Sequence, residues 1–185
     1  MVEHWCRVVM NRETNKLISA IDTSSMRALE ISGKYWQGKS TFKSYESLFY
    51  PESDICADCR HDQYEIIFCE QVFEHIESPP KAARNIYDML TPGGYFLITV
   101  PFLLKYHAVP LDCWRWTESG LRFLLRDAGF EKETIITGSW GNKECLISNL
   151  DQWTIFDPKI HSLENDQRFP LVVWALARKK GNLIN

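Results

Sequence analysis

The sequence predicts an α/β fold built on a doubly wound, mostly parallel sheet with helices on both faces. Three observations carry that prediction. Residues 64–69 are a short apolar run of strand type, Tyr64-Glu65-Ile66-Ile67-Phe68-Cys69. Residues 79–90 place Ala82, Ala83, Ile86, Met89 and Leu90 at helical spacing. Residues 95–100 are a second apolar strand, closed by Pro101. Strand, helix and strand within about forty residues make a βαβ unit, which joins parallel neighbours. Ligands of such sheets bind beyond the carboxyl ends of the strands. Glu70, Gln71 and His75 after the first strand, and the segment after Pro101, therefore share one rim.

The remaining elements are assigned in order. Residues 1–27 are read as one broken helix or two short ones, with Trp5, Val8, Val9, Leu17, Ile18 and Ile21 apolar and a polar interruption at 11–16. This segment packs on a single domain spanning 28–180. Residues 27–31 form the first strand and residues 45–49 the second, joined by a connection too short for a full crossover helix. Ser78 is placed to cap the helix at 79–90, with Pro79 and Pro80 where missing N–H groups cost nothing. Thr91-Pro92-Gly93-Gly94 stops that helix. Residues 102–117 are a long connection rich in reactive groups, and loops of that length in compact domains are usually functional. Thr117 caps a helix with a stripe of Leu121, Leu124, Leu125 and Ala128, and Gly129 closes it. Residues 134–137 are a strand, 138–149 a turn that reaches towards the rim, and 152–168 an irregular stretch with one short helix. Residues 171–177 are a closing strand buried on both faces.

Composition bounds the function classes. The chain has 185 residues, 45% hydrophobic and 24% charged, as in ordinary soluble domains. A net charge of −3 gives no electrostatic footprint for nucleic acid. No apolar run reaches membrane-span length, and the start lacks the pattern of a signal peptide. Six scattered cysteines read as reduced thiols, so a cytoplasmic location is expected. Cys56-Ala57-Asp58-Cys59 has no second C-x-x-C to complete a zinc site and is read as plain thiols. No P-loop, H-E-x-x-H or G-x-S-x-G pattern is present.

At residues 64–101 the chain resembles the class I S-adenosylmethionine (SAM)-dependent methyltransferases, of the small-molecule or sugar-modifying type. The resemblance rests on strand-Glu70-Gln71-Val72-Phe73-Glu74-His75-Ile76, the helix ending Leu90-Thr91-Pro92-Gly93-Gly94, and the strand ending Val100-Pro101. It extends from about residue 28 to about residue 130. It implies a Rossmann-like sheet of seven strands with the last strands antiparallel, and SAM as cofactor. Glu30, Ser32 and Gly33 fall in the turn that carries an acidic residue and three spaced glycines in the family. Only Gly33 remains here, with Lys34 and Trp36 where other glycines stand, so the turn is degenerate. Residues 49–52 fall near the ribose-binding position, with Glu52 as the acid there and Tyr50 as the alternative contact, Asp58 and Cys59 near the adenine-binding one, and Glu70 and Gln71 beside the sulfonium. His107 and Asp112 in the long loop, with His75, are the catalytic candidates. Asp112 and Arg115 are alternatively a brace for the loop. Trp5 is a weaker pocket candidate.

Methyl transfer from a sulfonium needs no metal, and no metal site is expected. The implied partner is a small-molecule acceptor, with no nucleic acid and no membrane, and a homodimer stays open. The alternative is a SAM-fold protein that binds a ligand or partner without catalysis, because of the altered glycine turn. A Rossmann oxidoreductase would need the spaced glycines even more.

Overall fold

The computed structural model describes residues 3–57, 60–61 and 63–181. Asp58 and Cys59 lie outside the described residues. The elements run α1 (Trp5–Ser19), β1 (Arg27–Ile31), β2 (Ser44–Leu48), β3 (Tyr64–Glu70), α2 (Pro79–Met89), β4 (Leu90–Pro101), α3 (Glu118–Ala128), β5 (Ile135–Trp140), α4 (Lys143–Ser148) and β6 (Val172–Arg178). The sheet order is β2-β1-β3-β4-β6-β5. β2, β1, β3 and β4 are parallel, and β6 runs antiparallel to both β4 and β5. The described residues thus form six strands rather than the expected seven. The described residues between β2 and β3 add no strand.

Strand alternation sorts the core into two layers. Leu29, Ile31, Ile67, Cys69, Phe96 and Ile98 face α2 and α3. Ala28, Ile66, Phe68, Leu97 and Leu176 face the other way, against Ile18 of α1 and Trp36. Helices therefore cover both faces. Trp36 is fully buried and stacks on Phe68 at 4.7 Å between ring centres. An indole fills the layer where the short β1–β2 connection supplies only a 3-10 turn, Trp36–Gly38, and no α-helix.

Several local readings shift. α1 is one unbroken helix across the polar run at 11–16. Thr14 Oγ1 donates to the Met10 carbonyl and Asn15 Nδ2 to the Asn11 carbonyl, so these side chains bond back to their own helix. Thr91-Pro92-Gly93-Gly94 lies within β4, where the register jumps so that Tyr64 pairs with Leu90 and Ile66 with Tyr95. The stop signal makes a bulge, with Gly93 at φ +85°. Ser78 makes no side-chain cap, whereas the Thr117 side chain accepts from Gly120 N–H and Gly129 takes φ +123°. Residues 138–149 continue as β5 and α4, and 152–168 hold turns in place of a short helix.

Candidate functional site

From β1 the chain moves outward to β2, then returns past β1 to enter β3. The crevice at the carboxyl ends of β1 and β3 is the topological switch point, where open α/β sheets bind ligands. Both strands leave it through a left-handed non-glycine residue, Ser32 at φ 57° and Gln71 at φ 54°. Each costs about 1–2 kcal/mol, and such strain collects at functional sites. Backbone ties hold it: Ser32 N–H donates to the Leu48 carbonyl at 2.7 Å and Gln71 N–H to the Thr99 carbonyl at 2.9 Å. Gln71 Nε2 also donates to Thr99 Oγ1 at 3.2 Å.

The turn with too few glycines is built around Glu30. This buried carboxylate accepts from the Tyr35 and Trp36 backbone N–H groups, both at 2.9 Å, and from the Tyr45 hydroxyl. A Cβ on Gly33 would stand 2.1 Å from Glu30 Oε1, so only glycine lets the carboxylate fold back under the turn. The Glu30 oxygens are thus engaged as a cap of the turn that follows β1.

Glu70 differs. It lies on the same face as Glu30, and its Oε1 is sealed from solvent with no hydrogen-bond partner. Burial, and then the Glu30 charge, push its carboxyl up to about 7. Arg7 of α1 and the Trp36 indole pull the other way, and the indole N–H closes no hydrogen bond. A buried carboxylate oxygen without a hydrogen bond thus lies at the end of β3, beside the crevice.

A second cluster sits four residues on. Phe73–His75 form a 3-10 turn, and the 102–117 loop folds over it. Cys113 N–H donates to the Glu74 carbonyl at 2.7 Å, Trp114 Nε1 donates to the Ile76 carbonyl at 2.9 Å, and His75 Nδ1 meets the Leu111 carbonyl. Asp112 accepts from His107 N–H at 2.7 Å and pairs with Arg115 through both oxygens. The Arg115 guanidinium holds the Asp112 carboxyl down at about 2. Asp112 and Arg115 therefore brace the loop. His107 and His75 stand edge to face at 5.3 Å, either side of the fully buried Glu74 carboxylate. That carboxylate raises the His107 imidazole above its ordinary range. Trp153 adds a wall, 5.5 Å from His107 with Lys105 Nζ over its face.

The structure thus gathers Glu30, Ser32, Gly33, Glu70 and Gln71 at one crevice, and His75, His107 and Asp112 at the next. Tyr50 stands at the end of β2, 68% exposed, beyond Phe49, over which Lys34 Nζ lies at 5.8 Å. Trp5 is core: it is buried, stacks on His161 and donates to the Ser162 carbonyl at 2.9 Å. Cys56 donates weakly to the Ser78 carbonyl at 3.7 Å, and burial pushes its thiol up. Arg7, Trp36 and Trp153 join these sites without a local signal, because helix packing and loop return bring them in. Glu74 had one, its place beside His75.

A wound sheet with a strained switch-point crevice defines a doubly wound α/β protein. A methyltransferase-domain family model matches residues 2–135, and the chain belongs to that family of SAM-dependent methyltransferases. Its cofactor is S-adenosyl-L-methionine. No curated protein matches the chain. Among solved structures it is similar to a Mesorhizobium loti SAM-dependent methyltransferase at 11% identity, covering 94% of this chain and 98% of that one, with a TM-score of 0.61. It is likewise similar to Haemonchus contortus phosphoethanolamine N-methyltransferase 2 in complex with SAM at 13% identity, 91% and 52% coverage, TM-score 0.61. A third likeness is to a chain from a complex between a Haloferax volcanii methyltransferase activator and a methyltransferase, at 12% identity, 98% and 96% coverage, TM-score 0.57. Among the described residues no helix is long and apolar enough to cross a membrane.

The crevice residues fit this cofactor. SAM bears a sulfonium and an ammonium group, and Glu70, whose Oε1 has no hydrogen-bond partner and whose charge only Arg7 and the Trp36 indole favour, supplies an acidic group beside them.

Proposed function

We propose that this chain catalyses methyl transfer from SAM to a small-molecule acceptor, a sugar or another metabolite. One observation carries the reading. Residues 70–75 present two adjacent sites from one short segment: Glu70 and Gln71 at the switch-point crevice, Glu74 and His75 under the loop that holds His107. A methyltransferase needs that adjacency, because cofactor and acceptor must meet in line.

SAM supplies an already activated methyl group. The chain's own contribution is positioning, which lowers such barriers by several kcal/mol, together with exclusion of water and removal of a proton where the acceptor is a hydroxyl or ammonium. Ser32, Gly33, Glu70 and Gln71 would hold the methionine end, and Tyr50, Asp58 and Cys59 the adenosine. His107 would bind the acceptor or take its proton, with His75 beside it and Asp112 keeping the loop in place.

Calorimetric titration with SAM, followed by a mass-shift screen over candidate acceptors, tests this. Saturable binding and a one-methyl mass gain on an acceptor are expected. His107→Ala should cut turnover strongly while leaving SAM affinity nearly unchanged. Equal loss of both would remove His107 from the acceptor side. A second reading, ligand binding without catalysis, draws on Glu30, whose oxygens are occupied by the turn. Binding of SAM with no transfer to any acceptor would favour it.

A further inference from the structure

We propose that Glu74, His75 and His107 form a binding site for a divalent first-row transition cation. One carboxylate and two imidazoles are a ligand set that suits Zn2+, Mn2+ or Fe2+, with coordination positions left open. One ligand atom from each residue lies within 4.8 Å of the others. His75 Nε2 is 3.7 Å from Glu74 Oε1 and His107 Nε2 is 3.8 Å from the same oxygen. Ligands about 2.1 Å from one tetrahedral ion stand roughly 3.4 Å apart. The two carboxylate–imidazole pairs are therefore within a few tenths of an ångström of that spacing, while the two imidazole nitrogens, within 4.8 Å of each other, close by up to about an ångström or slightly more around an ion.

The tautomers favour the same conclusion. His75 Nδ1 meets the Leu111 carbonyl and His107 Nδ1 the Lys105 carbonyl at 3.1 Å. A carbonyl only accepts, so each Nδ1 carries a hydrogen, which leaves Nε2 as the nitrogen that faces Glu74 and ligates a cation once its proton is displaced. Metal-binding histidines are oriented in this manner. The independent observation is Glu74 itself. Its side chain is fully buried, and neither carboxylate oxygen has a hydrogen-bond partner. A buried carboxylate without donors is costly, and a cation supplies the missing partner. The two imidazoles are partly exposed, so the site is reached from solvent. Asp112 and Arg115 fix the loop that carries His107.

A bound cation would orient an oxygen acceptor and acidify its hydroxyl. That role rests on the methyltransferase reading, whereas cation binding does not. The test is calorimetric titration of the chelator-stripped full chain with ZnCl2 and MnCl2, without SAM. One equivalent is expected to bind, at least tenfold more weakly in Glu74→Gln and His107→Gln, and equally well in Cys56→Ser. No saturable binding of either ion, or binding that Cys56→Ser abolishes and Glu74→Gln retains, would overturn the site. The Co2+-loaded parent keeps the test decisive where a variant fails to fold. Ligand-field bands without a thiolate charge-transfer band are expected, and a thiolate band contradicts the assignment. Cation binding without methyl transfer would sink the enzymatic reading alone.

Discussion

Glu70 offers the sharpest test of the crevice, because its charge is costly in the free protein and useful with cofactor. An ordinary glutamate titrates near 4.5 and Glu70 near 7. Below the lower value both folded and unfolded chains hold the proton, and Glu70 costs nothing. Between the two, the folded chain keeps a proton that the unfolded chain has released, so stability falls as pH rises. Above the upper value the full cost applies. At about 1.4 kcal/mol per pKa unit, the window amounts to about 3 kcal/mol. Glu70→Gln keeps the shape and removes the charge. It is predicted to be more stable than the parent at pH 8 by up to about 3 kcal/mol, a melting rise of roughly 6–12 °C for a chain of this size. Towards pH 4.5 the gain should vanish. The same variant should bind SAM at least tenfold more weakly at pH 8. Thermal and urea unfolding of cofactor-free protein from pH 4.5 to 8, with calorimetry for SAM, read both effects. A variant less stable than the parent at pH 8, or a difference flat with pH, would mean that Arg7 already satisfies Glu70.

Three further predictions concern neighbouring residues. Asp112→Asn should cost about 1–3 kcal/mol by urea unfolding, since it breaks the Arg115 pair and weakens the acceptor for His107 N–H. In the parent this contribution is complete above about pH 3.8 and is lost as pH falls towards 2, because the folded carboxyl is held low; a variant as stable as the parent at pH 7 would refute the brace. Gly33→Ala should lower stability by about 2 kcal/mol or more, as its Cβ displaces a carboxylate that holds two backbone N–H groups; an unchanged melting temperature would contradict that packing. Ser32→Gly should gain about 0.5–1 kcal/mol in urea, the left-handed strain less glycine's extra unfolded-state entropy, and a loss would show that the serine side chain is needed where it stands.

The βαβ centre was legible because periodicity, proline and glycine act locally: β3, α2 and β4 stand where apolar spacing places them. The N-cap at Thr117 and the C-cap at Gly129 follow from the same short-range chemistry. Signals whose outcome depends on distant partners read less well. Thr91-Pro92-Gly93-Gly94 looks like a full stop, yet pairing with β3 turns it into a bulge within a strand. The polar run in α1 looks like a break, yet its side chains satisfy themselves on the helix. A family-like sheet of seven strands was expected by resemblance, and the described segment between β2 and β3 supplies none.

The chain's own order of residues determined the wound α/β layout, the rim that holds Glu70, Gln71 and His75, and the reactive loop with His107 and Asp112. These follow from periodicity and neighbouring residues alone. Only the tertiary structure decided which carboxylates are already engaged. Glu30 is saturated by the turn that follows it, while Glu70 and Glu74 keep oxygens without partners. The reason is physical: a carboxylate's role is set by the donors and the solvent around it, and in a folded chain those come from segments far away in sequence.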